Sequence, residues 1–100
     1  MYAIVWEFLP APGREREFEA AYAPTGPWVE LFRRAAGYVG SELIPPREAG
    51  GWYRTIDRWE SREAFEAFRR AFGPEYGALD GACERLTLEE RPVSSGSTVP

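Results

Sequence analysis

One hundred residues suit one small domain, which buries only about 60–65% of its unfolded surface; 12 arginines against 16 acids, a net charge of -4 and no basic run leave a nucleic-acid backbone or an anionic membrane surface with nothing to hold. The chain contains no His, Lys, Asn or Gln, which removes Ser-His-Asp and Cys-His nucleophilic machinery, Schiff-base lysines and histidine-ligated zinc or haem. No apolar run approaches the roughly 18 residues of a membrane span and the N-terminus lacks a signal-peptide pattern, so a cytoplasmic protein is expected; a single cysteine, Cys83, with no internal disulfide partner agrees with that.

The first strand is predicted over Tyr2–Leu9, with Tyr2, Ile4, Trp6 and Phe8 on one face and Ala3, Val5, Glu7 and Leu9 on the other. Both faces are largely apolar, so both should be covered, one by helices and the other by a second copy of the chain. Glu7 stands out among those neighbours: a buried carboxylate needs either an arginine partner or a role in a pocket. After the Pro10–Gly13 turn, Phe18, Ala21 and Tyr22 mark a charged helix from about Arg14 to Ala23. Pro24-Thr-Gly-Pro27 interrupts it, and Trp28, Leu31, Phe32 and Ala35 resume the helical spacing before Gly37 stops it.

A second strand, Tyr38–Ile44, leads through a Pro- and Gly-rich loop into Tyr53–Trp59, where Tyr53, Thr55, Asp57 and Trp59 share one face and Arg54, Ile56 and Arg58 the other. Ser61 is a good N-cap, and Ala64, Phe65, Phe68 and Phe72 recur at helical spacing. Gly73-Pro74 makes another break, and Tyr76, Leu79, Cys83 and Leu86 continue an apolar stripe into a last strand, Leu86–Glu90. The order β-α-β-β-α-β is the split, ferredoxin-like α+β pattern: an antiparallel sheet with its helices on one face. A single domain over residues 1–92 is expected, followed by a disordered polar tail over 93–100.

The W-E-S-x-x-A-F corner at Trp59–Phe65, with G-Y-V-G-S-E-L at Gly37–Leu43 and W-V-E-L-F-R-R at Trp28–Arg34, resembles the antibiotic biosynthesis monooxygenase domain family over roughly Tyr2 to Glu90. The resemblance implies a dimeric α+β barrel, two sheets packed face to face, with a pocket between sheet and helices in each subunit. It also implies cofactor-independent oxygenation of electron-rich, polyketide-like aromatics, with Trp59 lining the pocket. Members of that kind carry an Asn four residues before this Trp and a Tyr six residues after it; here Thr55 and Phe65 stand there. Haem-degrading members use a strand Asn, a helix Trp and a His ten residues on, and Phe68 and Ala78 occupy the helix positions here.

Without histidine or a metal-ligand cluster, the chemistry left is that of tyrosines, carboxylates, arginines, indoles and one thiol. The Tyr53 face gathers most of it on one strand. A flat aromatic ligand held against Trp59 would find hydrogen bonds at Tyr53 and Thr55, and a partly desolvated Asp57 would accept its proton. Asp57 and Tyr53 are thus the candidate catalytic residues, Trp59, Thr55, Phe65, Phe68, Trp6 and Glu7 the candidate pocket, and no cofactor or metal is required. The competing expectation is a non-catalytic homodimeric module that binds a small ligand or has its pocket filled by Trp6, Trp59, Phe65 and Phe68. On that view Trp59 is a core plug and Asp57 pairs with Arg58 or another arginine. Cys83 reads as a small core residue, and Arg62, Glu66 and Arg70 as a solvated helix face.

Overall fold

Alternating apolar residues put β1 (Tyr2–Pro10) at the centre of the sheet in the computed structural model, which describes residues 1–97. Strand β3 (Tyr53–Trp59) lies antiparallel on one side of it, with Tyr2 opposite Trp59 and Phe8 opposite Tyr53. Strand β2 (Tyr38–Ile44) pairs with β3, and β4 (Thr87–Ser97) pairs with the free side of β1. The resulting order β2-β3-β1-β4, antiparallel throughout, is the ferredoxin-like α+β arrangement expected from the chain order.

Each helical segment is broken where proline enters. Helix α1 (Glu15–Tyr22) ends before Pro24, and α2 (Pro27–Phe32) begins with its proline in the first turn, where the missing N–H costs nothing. Helix α3 (Arg62–Ala71) starts at Ser61, whose Oγ accepts the backbone N–H of Ala64 at 3.1 Å. Helix α4 (Gly73–Cys83) follows Phe72 at once, and a short 3-10 turn (Glu84–Leu86) delivers the chain to β4.

The end of the chain departs from expectation. Leu86 is not a strand residue but a buried member of the 3-10 turn, and the strand runs on to Ser97, so Val93–Ser97 are sheet rather than tail. The physical reason is that the free edge of β1 offers backbone donors and acceptors, which a polar Ser/Gly segment satisfies as well as an apolar one. Register shifts at Val5/Trp6 and Leu9/Pro10 fit Pro92 into that edge strand. Residues 98–100 of the expected tail lie outside the described residues.

Two apolar clusters hold the helices to the sheet. Trp28, Leu31, Phe32, Trp59, Phe68, Cys83 and Leu86 form the larger, and Phe8, Phe18 and Tyr53 the smaller. Cys83 is a core residue, as its stripe predicts. Arg62 and Glu66 pair across one helical turn at 3.5 Å on the solvated side of α3. Among the described residues no helix is long and apolar enough to cross a membrane.

Candidate active site

Because the even-numbered residues of β1 and the odd-numbered residues of β3 face the helices, the gap between the two clusters is walled by both strands. It is a partly open cavity of about 270 Å³. Trp6 and Phe8 from β1 and Thr55 and Asp57 from β3 form the sheet side; Tyr22, Trp28, Val29 and Phe32 from α1 and α2 form much of the opposite wall. Arg69 from α3, Tyr76 and Asp80 from α4 and Glu90 from β4 complete it. A cavity of roughly 150 Å³ is enough for benzene, so the observed volume has room for more than one ring.

On β3 the cavity carries a carboxylate, Asp57. The side chain lines the cavity half-buried, and desolvation pushes its pKa up to about 6, against the pull of a hydrogen bond from Ser41. Ser41 Oγ donates to Asp57 Oδ1 at 2.6 Å, and the Tyr38 hydroxyl lies 2.7 Å from Ser41 Oγ. The arginine partner foreseen for Asp57 is not found among the described residues: Arg58 points to the other face of the sheet and bonds Glu42 at 2.7 Å. An aspartate near neutral pKa in an aromatic-walled cavity can exchange a proton with a bound ligand.

At the cavity wall, Arg69 lays its guanidinium over the Tyr76 ring at 4.1 Å. Burial, with Asp80 and Glu84 nearby, raises the Glu90 pKa, and burial likewise raises those of the Tyr22 and Tyr76 hydroxyls. Arg69 is therefore the cationic side chain in a lining that otherwise carries Asp57, Asp80 and Glu90.

Of the residues expected at the site, the structure brings three together in this cavity: Thr55, Asp57 and Trp6. The other five are elsewhere. Trp59 is fully buried as a core plug, edge-on to Phe32, Tyr38 and Phe65 and tilted against Phe68. Phe65 packs on Tyr2 and Trp59, and Phe68 on Phe32 and Phe72, because α3 lies directly over the corner it springs from. Tyr53 is buried against Phe18, and its hydroxyl donates to the Glu19 carboxylate, a bond that lifts its pKa to about 12 and removes it from acid–base work near neutrality. It borders a separate hollow shared with Leu9, Pro46 and Gly51. Glu7 faces away from the helices, held by Arg54 at 2.8 Å and Arg91 at 2.9 Å, and these two arginines keep its carboxyl below the usual range.

The open site and the solid core are therefore adjacent. Trp59, Phe65 and Phe68, all expected in the pocket, pack against one another in the core, while the cavity is walled by Trp28, Tyr22, Thr55 and Asp57. Sequence periodicity placed Trp28 and Phe32 on a buried stripe without distinguishing a core from a cavity wall. Nothing in the spacing marked Arg69, which lies next to the Arg62, Glu66 and Arg70 set read as a solvated face. Among the described residues no cluster of His, Cys, Asp and Glu is placed to hold a metal ion.

A family profile described as antibiotic biosynthesis monooxygenase matches residues 1–78. Solved structures share the fold along nearly the whole chain. SnoaB from Streptomyces nogalater, a cofactor-independent oxygenase, is 25% identical with a TM-score of 0.63, covering 99% of this chain and 96% of its own. A Bordetella bronchiseptica protein provisionally assigned as an antibiotic biosynthesis monooxygenase is 27% identical with a TM-score of 0.67, covering 99% of this chain and 97% of its own. PA3566 from Pseudomonas aeruginosa, 16% identical with a TM-score of 0.70 and coverage of 99% and 94%, shares the fold. No curated protein matches the sequence. With the profile spanning more than three quarters of its length, the chain belongs to the antibiotic biosynthesis monooxygenase family.

Proposed function

We propose that the protein is a cofactor-independent monooxygenase that oxidises an electron-rich aromatic small molecule, with Asp57 as its general base. The observation that carries this reading is a carboxylate with a pKa of about 6 in the wall of a roughly 270 Å³ aromatic cavity. Such a base is ionised at neutral pH and strong enough to take a proton from an acidic phenol, enol or benzylic C–H.

Removal of that proton leaves an electron-rich anion, and Arg69 is the cavity's cationic group to offset its charge. The anion reduces O2, and recombination forms a C–O bond to a peroxide. Loss of water then converts a ring CH2 to C=O: four electrons leave the carbon, one oxygen atom stays in the product and the other leaves as water. The substrate supplies all the electrons, so no external reductant is consumed. Trp6, Trp28 and Phe32 serve as flat walls that orient the rings. The likeness to SnoaB, itself a cofactor-independent oxygenase, supports the same reading.

The second half of the proposal is a homodimer in the cytoplasm. On the sheet face away from the helices, Val5 and Ile56 are partly exposed, Ile44 is 41% exposed, and the Glu7–Arg54–Arg91 and Glu42–Arg58 ion pairs run between them. A second copy packed there would cover this two-sided strand. Light scattering at micromolar concentration should give a particle near twice 11.3 kDa; a monodisperse monomer overturns this part.

The activity is tested by oxygen uptake with metal-stripped protein across anthrones, naphthols and hydroquinones, with Asp57→Asn alongside. Saturable uptake that the variant loses, with a melting temperature no lower than the parent's, is expected at a pH well above 6. Background uptake throughout would instead indicate a small-molecule binding module.

A further inference from the structure

We propose that Tyr38 and Ser41 are positioning residues for Asp57: their hydroxyls tie one carboxylate oxygen to β2 and leave the other free to take a proton in the cavity. The inference rests on the reading of Asp57 as the base and assigns roles to two residues outside the cavity lining.

The directions of the hydrogen bonds follow from counting protons. Ser41 has one hydroxyl proton and donates it to Asp57 Oδ1 at 2.6 Å, so the 2.7 Å contact with Tyr38 requires the tyrosine O–H to donate to Ser41 Oγ. Burial holds the Tyr38 pKa above its ordinary value, and Tyr38 therefore stays a donor throughout the neutral range. The chain Tyr38→Ser41→Asp57 points one way. A donor that is itself accepting is polarised, which strengthens its bond to the carboxylate.

The backbone is arranged to permit this. Simple alternation along β2 would put Tyr38 and Ser41, three residues apart, on opposite faces of the sheet. The register shift between Tyr38 and Gly40 adds a residue, leaves Val39 47% exposed and turns both hydroxyls to the helix side. Ser41 then stands directly opposite Asp57 in the β2–β3 ladder. Bulges of this kind re-aim side chains next to sites.

Around the carboxylate, Tyr22 of α1, Arg69 of α3, Tyr76 and Asp80 of α4 and Glu90 of β4 share the cavity, and Ser41 supplies the hydrogen bond. Among the described residues no side chain donates to Oδ2, which makes it the oxygen available to a ligand. A hydrogen bond to the ionised form opposes burial and keeps the base deprotonated at neutral pH.

The test needs no substrate. Asp57 and Asp80 are the chain's two aspartates, so labelling with [13C]aspartate gives two side-chain carboxyl signals, and Asp80→Asn assigns them. Ser41→Ala should raise the Asp57 midpoint by about one pH unit or more, since hydrogen bonds to charged groups are the strong ones. Tyr38→Phe should raise it by less, and Ser41→Thr should restore it, all three at a melting temperature showing a folded chain. An Asp57 midpoint that does not move in Ser41→Ala, or that Ser41→Thr fails to restore, overturns the positioning role. A wild-type midpoint at the ordinary carboxylate value overturns the base assignment instead, so the two failures are told apart.

Discussion

A Cβ on Gly37 would lie 2.6 Å from the Cβ of Ala64. Gly37 has φ +87° and its carbonyl accepts the N–H of Glu60 at 2.7 Å, so the end of one helix–strand connection is pressed against the start of α3. The conformation and the close approach both require glycine here. Gly37→Ala should cost about 1–2 kcal/mol for the left-handed backbone and about 1–3 kcal/mol more for the overpacking. Gly50→Ala, with φ +82° and open space around its Cα, should show only the first of these. Urea unfolding of both variants separates the contact from the conformation; equal losses would mean that Ala64 gives way.

Trp59 governs stability more than chemistry. It is fully buried among Phe32, Tyr38, Phe65 and Phe68, so Trp59→Ala should destabilise the fold by about 3–5 kcal/mol through lost contacts and a cavity. Denaturant midpoints check this. A loss below about 1 kcal/mol would show that the neighbouring rings collapse into the space.

Asp57 ties stability to pH with an unusual sign. Its folded pKa of about 6 lies above the ordinary value of 3.8, so the folded protein binds the extra proton between those values and stability falls as pH rises through that window. The full effect is at most about 3 kcal/mol. Asp57→Asn keeps an oxygen to accept from Ser41 and carries no charge; it should be more stable than the parent at pH 7 and no different at pH 3. Melting temperatures from pH 3 to 8 test this. Glu7 runs the other way: its lowered pKa gives stability that is lost as pH falls below the usual carboxylate range, a limb that Glu7→Gln should remove.

For oxidation itself, the same titration predicts a rate that climbs as pH rises through about 6 and then levels. Arg69→Leu should lower kcat by about 10²-fold or more with a smaller change in KM, because charge develops on the ligand only after the proton leaves. Steady-state oxygen uptake over pH 5–8 is the measurement, and a flat profile would exclude Asp57 as the base.

The fold was legible because its signals are local. Two-residue alternation marks β1 and β3, Pro24, Pro27 and Pro74 mark the helix breaks, and Ser61 caps α3 where a cap belongs. Residues 93–97 misled because low hydrophobicity argues for disorder, whereas an edge strand is held by backbone pairing that side-chain composition does not report. The site was half legible for a similar reason. The strand face Thr55–Asp57 follows from period two, but whether Trp59 or Trp28 meets open space depends on how four helical pieces settle over the sheet. Ser41 was hidden by one extra residue: only the bulge at Tyr38/Gly40 brings it to the side of Asp57.

The four tryptophans occupy three different surroundings. Trp6 and Trp28 wall the cavity, Trp59 is sealed in the core, and Trp52 lies beneath the Arg91 guanidinium at 4.0 Å. Their emission should differ accordingly: single-tryptophan versions of the chain would give a probe quenched by an aromatic guest, another reporting only unfolding, and a third sensitive to events on the sheet's other face. The protein carries its own fluorescent reporters for occupancy, folding and association, with no dye attached.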